Sequence, residues 1–273
     1  MITSADGAAV AVAYFFVLGG LGLIVGSFLN VVIYRVPEGL SVVRPGSACP
    51  QCHEPINARD NVPVLSWLVL RGRCRHCRAP IPKRYPLVEA LTGAVWLALG
   101  WWALGPQGLD PLLPLVLVLG SAGVALSFID LDHHRLPNVI VLPLYPVTVA
   151  GLALAGVLSG EWPIGPTVAG TAAWLAVIGG IWLLTRGRGM GFGDVKLAPV
   201  LGATLGWVSF GSSVVGLFAG FLLGAVAGVV LMARGRAGRR SHLPFGPFLL
   251  AGAAIGLFAG AAIATAYAGW VAA

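Results

Sequence analysis

Two aspartates lie at the ends of long apolar segments, where a charged side chain is unusual. Asp130 lies in the motif SFIDLDHHRLPN and directly follows an apolar run of eighteen residues. Asp194 is the last residue of the glycine-rich stretch GMGFGD. Ionisable groups at membrane depth are costly and usually functional. Two carboxylates brought together cannot both ionise readily, so one can take a proton from water while its protonated partner polarises a peptide carbonyl. The pair therefore predicts the chemistry of an aspartic protease.

Residues beside the two aspartates are expected to support them. They are Gly191, Gly193, Lys196 and Asp132. The alternating glycines disfavour helix and leave backbone that an extended peptide can approach. The lysine can either bias the charge of the neighbouring carboxylate or hold the loop, and Asp132 can orient Asp130 or contact the substrate. Either catalytic candidate alone is also compatible with an interfacial helix cap, but the pair favours catalysis.

The cysteines predict a metal site. All four lie in one hydrophilic segment as two CxxC pairs, CPQC and CRHC, separated by twenty-one residues: Cys49, Cys52, Cys74 and Cys77. Each pair makes a tight turn that points two thiolates at one ion, as in a structural zinc site with four sulfur ligands. Two disulfides are the alternative, which a reducing cytoplasm disfavours. His53 and His76, which adjoin the cysteines, are interpreted as loop residues.

The elements that position these groups must be membrane helices. The chain has 273 residues, of which 58% are hydrophobic and only 10% charged, with a mean hydropathy of +0.89. This composition excludes a water-soluble domain of this length. Apolar runs predict an all-α bundle of about eight spans. Their approximate limits are 10–33, 87–104, 112–129, 138–158, 167–185, 196–208, 212–232 and 245–270.

The distribution of charge predicts how the spans are oriented. Basic residues fall on alternate connections: Arg35 to Arg84, Arg135, Arg186 with Arg188, and Arg234 to Arg240. By the positive-inside rule this side is cytoplasmic, and both termini lie outside. The net charge of +7 then reflects topology and contact with anionic lipids. Nucleic acid is not an expected partner, because the chain carries no recognisable nucleic-acid motif.

Several motifs together resemble one known family. GFGD at 191–194 matches the GxGD signature of membrane aspartyl proteases, and the whole chain resembles the bacterial type IV prepilin leader peptidases, which are also N-methyltransferases. The motifs that carry the resemblance are GSFLNVVIYRVP, SWLVLRGRCRHC, RYPLVE, IDLDHHRLPN, GFGDVKL and FGPFLLAG. They extend over nearly the full length of the chain.

The resemblance implies a specific function. Asp130 and Asp194 would be the catalytic aspartates, and prepilins or pseudopilins the substrates, cut after a glycine that ends a short basic leader on the cytoplasmic side of the inner membrane. The new N-terminus would then be methylated from S-adenosylmethionine. The chain would divide into a first helix at 1–34, a zinc-binding loop at 35–86 associated with methylation, and a seven-helix protease core at 87–273.

Two other classes of function are compatible with parts of the pattern. A transporter could use Asp130, Asp194 and Lys196 as a proton or ion relay, although relay carboxylates are expected near the bilayer midplane and these lie at helix ends. A zinc-bearing membrane scaffold would not need either aspartate. The sequence favours the protease, and it leaves the oligomeric state open.

Overall fold

The computed structural model describes residues 4–105, 108–235 and 243–272, and this part of the chain is almost entirely helical. Its helices are α1 (Ser4–Arg35), α2 (Leu65–Val69), α3 (Arg84–Ala103), α4 (Leu113–His133), α5 (Asn138–Val141), α6 (Leu144–Ser159), α7 (Ile164–Leu184), α8 (Phe192–Val208), α9 (Phe210–Ala233) and α10 (Gly246–Val271). A 3-10 turn at Ala58–Asp60 precedes α2. Two short strands, β1 (Leu104–Gly105) and β2 (Gly108–Leu109), form an antiparallel pair.

The chain forms two compact units, Met1–Ala125 and Leu126–Ala273. In the first unit, α1 and α3 pack closely in antiparallel orientation. A Cβ atom at Gly26 would lie 2.7 Å from the Cα of Glu89, and Asn30 donates a hydrogen bond of 3.2 Å to the carbonyl of Tyr85. Small residues allow membrane helices this close approach. The indole of Trp96 then connects α3 to Ser121 of α4 at 2.9 Å.

In the second unit, α7 packs on α8 and α9 packs on α10 by the same means. A Cβ atom at Gly202 would lie 2.7 Å from the carbonyl oxygen of Gly170, and one at Gly256 would lie 2.6 Å from that of Ser212. Glycines recur at every fourth position along α9, so they form one continuous face of that helix. These pairs position α8, which carries Asp194, and α10, whose first residue contacts Asp130 of α4.

Within the described ranges, six helices are long and apolar enough to cross a membrane: Val10–Arg35, Leu113–His133, Asn138–Ser159, Ile164–Leu184, Phe210–Ala233 and Gly246–Val271. The chain is therefore a multi-pass helical membrane protein. Two further predicted spans correspond to α3, which carries Arg84 and Glu89, and to α8, which has 17 residues. A total of eight spans stays a prediction, as does the division at residues 34 and 86.

Two helix boundaries differ from the sequence-based expectation. The predicted span 138–158 is interrupted before Leu144, and Pro143 precedes the longer helix α6. The sixth span was expected to begin at 196, but α8 begins at Phe192 and so includes Asp194 in its first turn. Of the basic residues used to predict orientation, Arg236, Arg239 and Arg240 lie outside the described residues.

Candidate active site and metal centre

The first candidate catalytic residue, Asp130, lies in the last turn of α4. Its side chain is buried, with 5% of its surface exposed. The backbone N–H of Gly246 donates a hydrogen bond to Oδ2 of Asp130 at 2.9 Å. Gly246 is the first residue of α10, and the N–H groups at a helix N-terminus attract negative charge. The start of α10 therefore gives this carboxylate a fixed hydrogen-bond donor.

The second candidate, Asp194, lies in the first turn of a helix, whereas Asp130 lies in the last turn of one. Asp194 is the third residue of α8, whose N-cap is Gly191, and it is 7% exposed. Its carboxylate is hydrogen-bonded to the backbone of Gly191, while its own N–H donates to the Gly191 carbonyl at 3.1 Å. This reciprocal arrangement resembles a capping box. Each aspartate is thus held by the backbone of a glycine at a helix N-terminus.

A single leucine connects the two carboxylate-bearing segments. Leu136 is buried, with 8% of its surface exposed. A Cβ atom at Gly193 would lie 2.8 Å from the Cβ of Leu136, and one at Gly246 would lie 3.2 Å from its Cδ2. The negative charge of Asp130 also acts electrostatically on Asp194. The structure therefore brings the two predicted catalytic residues into one site.

The arrangement is suited to acid–base chemistry on a peptide bond. When two buried carboxylates interact electrostatically, the state in which they share one proton is favoured. The ionised partner can accept a proton from water, and the protonated partner can donate a hydrogen bond to a carbonyl oxygen. Backbone donors hold both groups in place, which fixes their orientation.

The two glycines of GFGD are each needed for a different structural reason. A Cβ atom at Gly191 would lie 3.1 Å from Oδ2 of Asp194, so a side chain there would crowd the carboxylate. Gly193 lies within α8 and is required by its close approach to Leu136. The alternating glycines were expected to disfavour helix, but Gly193 is helical, and its packing against Leu136 explains why a glycine is needed there.

Lys196 is directed to a neighbouring helix. Its Nζ donates a hydrogen bond to Oδ1 of Asn138 at 2.8 Å and lies 4.6 Å from the ring centroid of Phe192. The hydroxyl of Tyr145 donates to the backbone carbonyl of Lys196 at 2.7 Å. These contacts join α8 to α5 and α6. They favour the interpretation that the lysine holds the segment around Asp194.

Asp132 is not part of the buried pair. It is exposed, and its position two residues after Asp130 places it about 200° further around α4. Residues that sequence reasoning did not assign to the site are Gly246, Leu136, Asn138 and Tyr145. The motifs FGPFLLAG and HHRLPN contain three of them, but a motif does not reveal which atom contacts which aspartate.

The four cysteines form one cluster in the first unit. Their sulfur atoms all lie within 4.8 Å of one another, and all four thiols are free. The Sγ–Sγ distance is 3.7 Å between Cys49 and Cys77 and 4.0 Å between Cys52 and Cys74. Tetrahedral zinc with Zn–S bonds of about 2.3 Å requires separations of about 3.8 Å. The disulfide alternative is not supported, and the cluster can hold a metal ion.

The two CxxC turns have the same backbone construction. The N–H of His53 donates to the carbonyl of Cys49 at 2.8 Å, and that of Arg78 donates to Cys74 at 3.1 Å. Both donors have positive φ, 58° and 61°. The backbone N–H groups of Cys52 and Gln51 lower the pKa of the Cys49 thiol to about 6, which favours the thiolate that binds metal.

The same type of contact occurs at the second turn, where the backbone N–H groups of Cys77 and His76 lower the pKa of Cys74. In each turn, backbone N–H groups thus lower the pKa of one thiol and favour its thiolate form. The predicted ligand set of four cysteines matches the cluster, and neither neighbouring histidine belongs to it.

Comparison with known proteins accounts for both halves of the chain. The bacterial peptidase A24 N-terminal domain matches residues 21–103, and the type IV leader peptidase family matches residues 117–232. A prepilin leader peptidase/N-methyltransferase of Aeromonas hydrophila is 38% identical, with 93% of each chain covered. The protein of the same name from Burkholderia pseudomallei (strain K96243) is 41% identical, over 88% of this chain and 84% of its own length. The one from Neisseria gonorrhoeae is 35% identical, over 84% of this chain and 85% of its own length.

No solved structure matches the chain significantly. The two family matches coincide with the two parts described above: residues 21–103 contain the cysteine cluster, and residues 117–232 contain both aspartates. The identities to full-length relatives extend over most of the chain. The chain belongs to the type IV leader peptidase family.

Proposed function

We propose that this protein is a prepilin leader peptidase that also methylates the new N-terminus of its product. Relatives that carry this name match nearly the whole chain, including both the cysteine segment and the aspartate-bearing helices. The family match and the multi-pass helical fold support membrane proteolysis. They give no support to a transporter that uses the aspartates as a relay.

The observation that carries the proposal is the pairing of Asp130 and Asp194. One carboxylate accepts a proton from a water molecule, and the resulting hydroxyl attacks the scissile carbonyl carbon. The other, protonated, carboxyl group donates its proton to the carbonyl oxygen, which gives a neutral tetrahedral intermediate. As the C–N bond breaks, the leaving amine takes the proton that came from water, and one hydroxyl of the intermediate gives its proton to the ionised carboxylate, which restores the dyad.

The neighbouring residues have positioning roles in this proposal. Gly191 and Gly193 allow α8 to begin beside the carboxylate, and Lys196 holds that segment through Asn138. Asp132 is exposed near the same end of α4, where its negative charge would attract a basic leader. It acts through its charge outside the dyad.

For the cysteine cluster, we propose structural zinc. A centre with four thiolates leaves no open coordination position, so the ion would hold the two turns together without taking part in chemistry. The surrounding loop, 35–86, would be the part associated with methylation. S-adenosylmethionine would supply the methyl group for the free N-terminal amine.

The protein is expected in the bacterial inner membrane, with the zinc loop and active site on the cytoplasmic side and both termini outside. The loop between α1 and α3 is rich in arginine, as expected of a cytoplasmic segment beside anionic lipid. The substrates would be prepilins or pseudopilins whose apolar helix lies in the bilayer next to the cut.

The test is incubation of a purified prepilin with the reconstituted protein and S-adenosylmethionine, followed by intact-mass analysis. The proposal predicts loss of the leader together with gain of one methyl group. Cleavage without methylation would contradict the second activity. A prepilin that stays uncut here, but is cut by a relative from the same family, would contradict the proposed substrate class.

A further inference from the structure

We propose that α2, within the cysteine loop, lies in the membrane surface against anionic phospholipid headgroups. Its three large apolar side chains, Leu65, Leu68 and Val69, are 60%, 57% and 76% exposed, and are here called the α2 face. This helix belongs to the connection between α1 and α3 rather than to a membrane-crossing helix. Contiguous apolar surface in a hydrophilic connection indicates a binding partner.

The attachment of α2 determines its depth. The N–H of Val64, the residue before α2, donates a hydrogen bond of 2.7 Å to Oε2 of Glu89. Glu89 is five residues, about 7.5 Å, inside α3, and it packs against Gly26, which is nine residues, about 13 Å, from the end of α1 at Arg35. Since α1 is a membrane-crossing candidate, this bond ties the start of α2 close to the lipid surface.

The backbone before α2 is held in an unusual conformation. Val64 has φ 60° and ψ −49°, a conformation that is rare for a β-branched residue. The carboxylate that holds its N–H is itself buried, since Glu89 is only 8% exposed. The turn at Val64, which Glu89 of α3 holds, fixes the direction in which α2 begins.

The other side of α2 packs against the loop. The indole Nε1 of Trp67 donates a hydrogen bond of 3.1 Å to the carbonyl of Ile81, and a Cβ atom at Gly72 would lie 2.8 Å from the Trp67 ring. Trp67 therefore packs on the cysteine loop, while the α2 face lies on the opposite side of the helix and is exposed. The helix is amphipathic in the sense that one side is anchored and the other is apolar and exposed.

The charges around α2 match an anionic surface. Arg71 and Arg73 follow the helix directly and are exposed. On its other flank, Arg59 and the ion pair between Asp60 and Arg75 line a cavity of about 230 Å³ together with Leu65 and other apolar residues, so Arg59 supplies the net positive charge there. Apolar side chains flanked by arginines are typical of segments that lie in the interface of membranes containing anionic lipid. A basic peptide leader would be repelled by the same arginines.

The experiment places the photoreactive amino acid p-benzoyl-phenylalanine at Leu68 or at Val69 in the full chain. The protein is reconstituted in nanodiscs of phosphatidylcholine with or without phosphatidylglycerol, irradiated and analysed by intact mass. Glu54, which is exposed beside the first CxxC turn, provides the control position. The zinc content of each variant is measured to verify that the cysteine loop is folded.

The proposal predicts lipid adducts at both α2 positions and little or none at Glu54. Replacing Arg71 or Arg73 by Gln is expected to lower the preference for phosphatidylglycerol roughly fivefold, the effect of one basic residue at an anionic surface. Equal adduct yields at Glu54 and Leu68 would overturn the proposal. So would cross-links from Leu68 to protein instead of lipid. None of these outcomes depends on peptidase or methyltransferase activity.

Discussion

The backbone N–H of Gly246 donates a hydrogen bond to Oδ2 of Asp130 at 2.9 Å, although the two residues are 116 positions apart in sequence. This bond brings the N-terminus of α10 against the C-terminal turn of α4. It gives a buried carboxylate a fixed donor in a region where water is scarce. The position of the Asp130 carboxylate therefore depends on a residue in the last helix of the described chain.

Replacing Gly246 by Ala should lower the rate of leader cleavage. The added Cβ atom would lie 2.9 Å from Oδ2 of Asp130, so the carboxylate or the start of α10 must move. A displacement of about 1 Å in an active site can reduce the rate roughly 10²-fold. Gly180→Ala is the matched control, because a Cβ atom there meets nothing within 4 Å. Initial rates on one prepilin would compare the two variants, and equal rates would contradict the positioning role.

The two roles considered for Lys196 give different kinetics. If it holds α8 through Asn138, Lys196→Met and Asn138→Ala should each lower the cleavage rate roughly fivefold, because an exposed charged hydrogen bond is of modest strength. The double variant should be no slower than either single variant, since both remove the same contact. Initial rates measured across pH 5 to 9 test this. A shifted pH profile in Lys196→Met alone would instead indicate an effect on the charge of Asp194.

The metal centre should depend on sulfur and not on the adjacent histidines. Cys52→Ser or Cys74→Ser is expected to lower zinc, measured by elemental analysis, from one ion per chain to well below one, and to abolish methylation. His53→Ala and His76→Ala should keep the ion, because the cluster consists of four thiols. Retention of zinc by both serine variants, or its loss in a histidine variant, would show that the ligand set is different.

The ion pair between Asp60 and Arg75 makes a prediction about pH. Arg75 Nε donates a hydrogen bond to Oδ2 of Asp60 at 2.8 Å, and this contact lowers the pKa of the carboxyl below its ordinary value of 3.8. A lowered pKa in the folded state means that the pair stabilises the loop above the ordinary value. This stability is lost only as the pH falls through the lowered value.

Amide hydrogen exchange across residues 58–76 measures this effect. After correction for intrinsic rates, protection should be the same at pH 5 and pH 7, whereas Asp60→Asn should weaken protection at both. A loss of protection in the unchanged protein between pH 7 and pH 5 would mean that another group controls the stability of the loop.

The sequence was sufficient to predict the helical membrane fold, because apolar runs of spanning length are a direct physical signal. It was also sufficient for the metal cluster, since two CxxC turns can converge on one ion with few alternatives. The boundary at α8 was less predictable. Gly193 disfavours helix in isolation, but its close packing on Leu136 is a tertiary contact that outweighs this preference.

The same limit applies to the contacts around the aspartates. The alternation of basic connections placed Arg135 and Arg186, and with them the neighbouring Asp130 and Asp194, on one side of the membrane, but it could not identify the backbone of Gly246 as a partner. Nor could it direct Lys196 to Asn138, which is 58 residues away. Such contacts depend on which helices are neighbours, and apolar periodicity carries no information about neighbours in a bundle that is apolar on every side.

The central claim is that Asp130 and Asp194 form the catalytic dyad, and the most direct measurement is the cleavage rate of Asp130→Asn and Asp194→Asn, with Asp132→Asn as the matched control. Intact-mass analysis of a prepilin over time would give all three rates. The account predicts that each dyad variant leaves the substrate uncut and that the control still cuts it. Cleavage by either dyad variant at the unchanged rate, or equal loss in Asp132→Asn, would contradict the account.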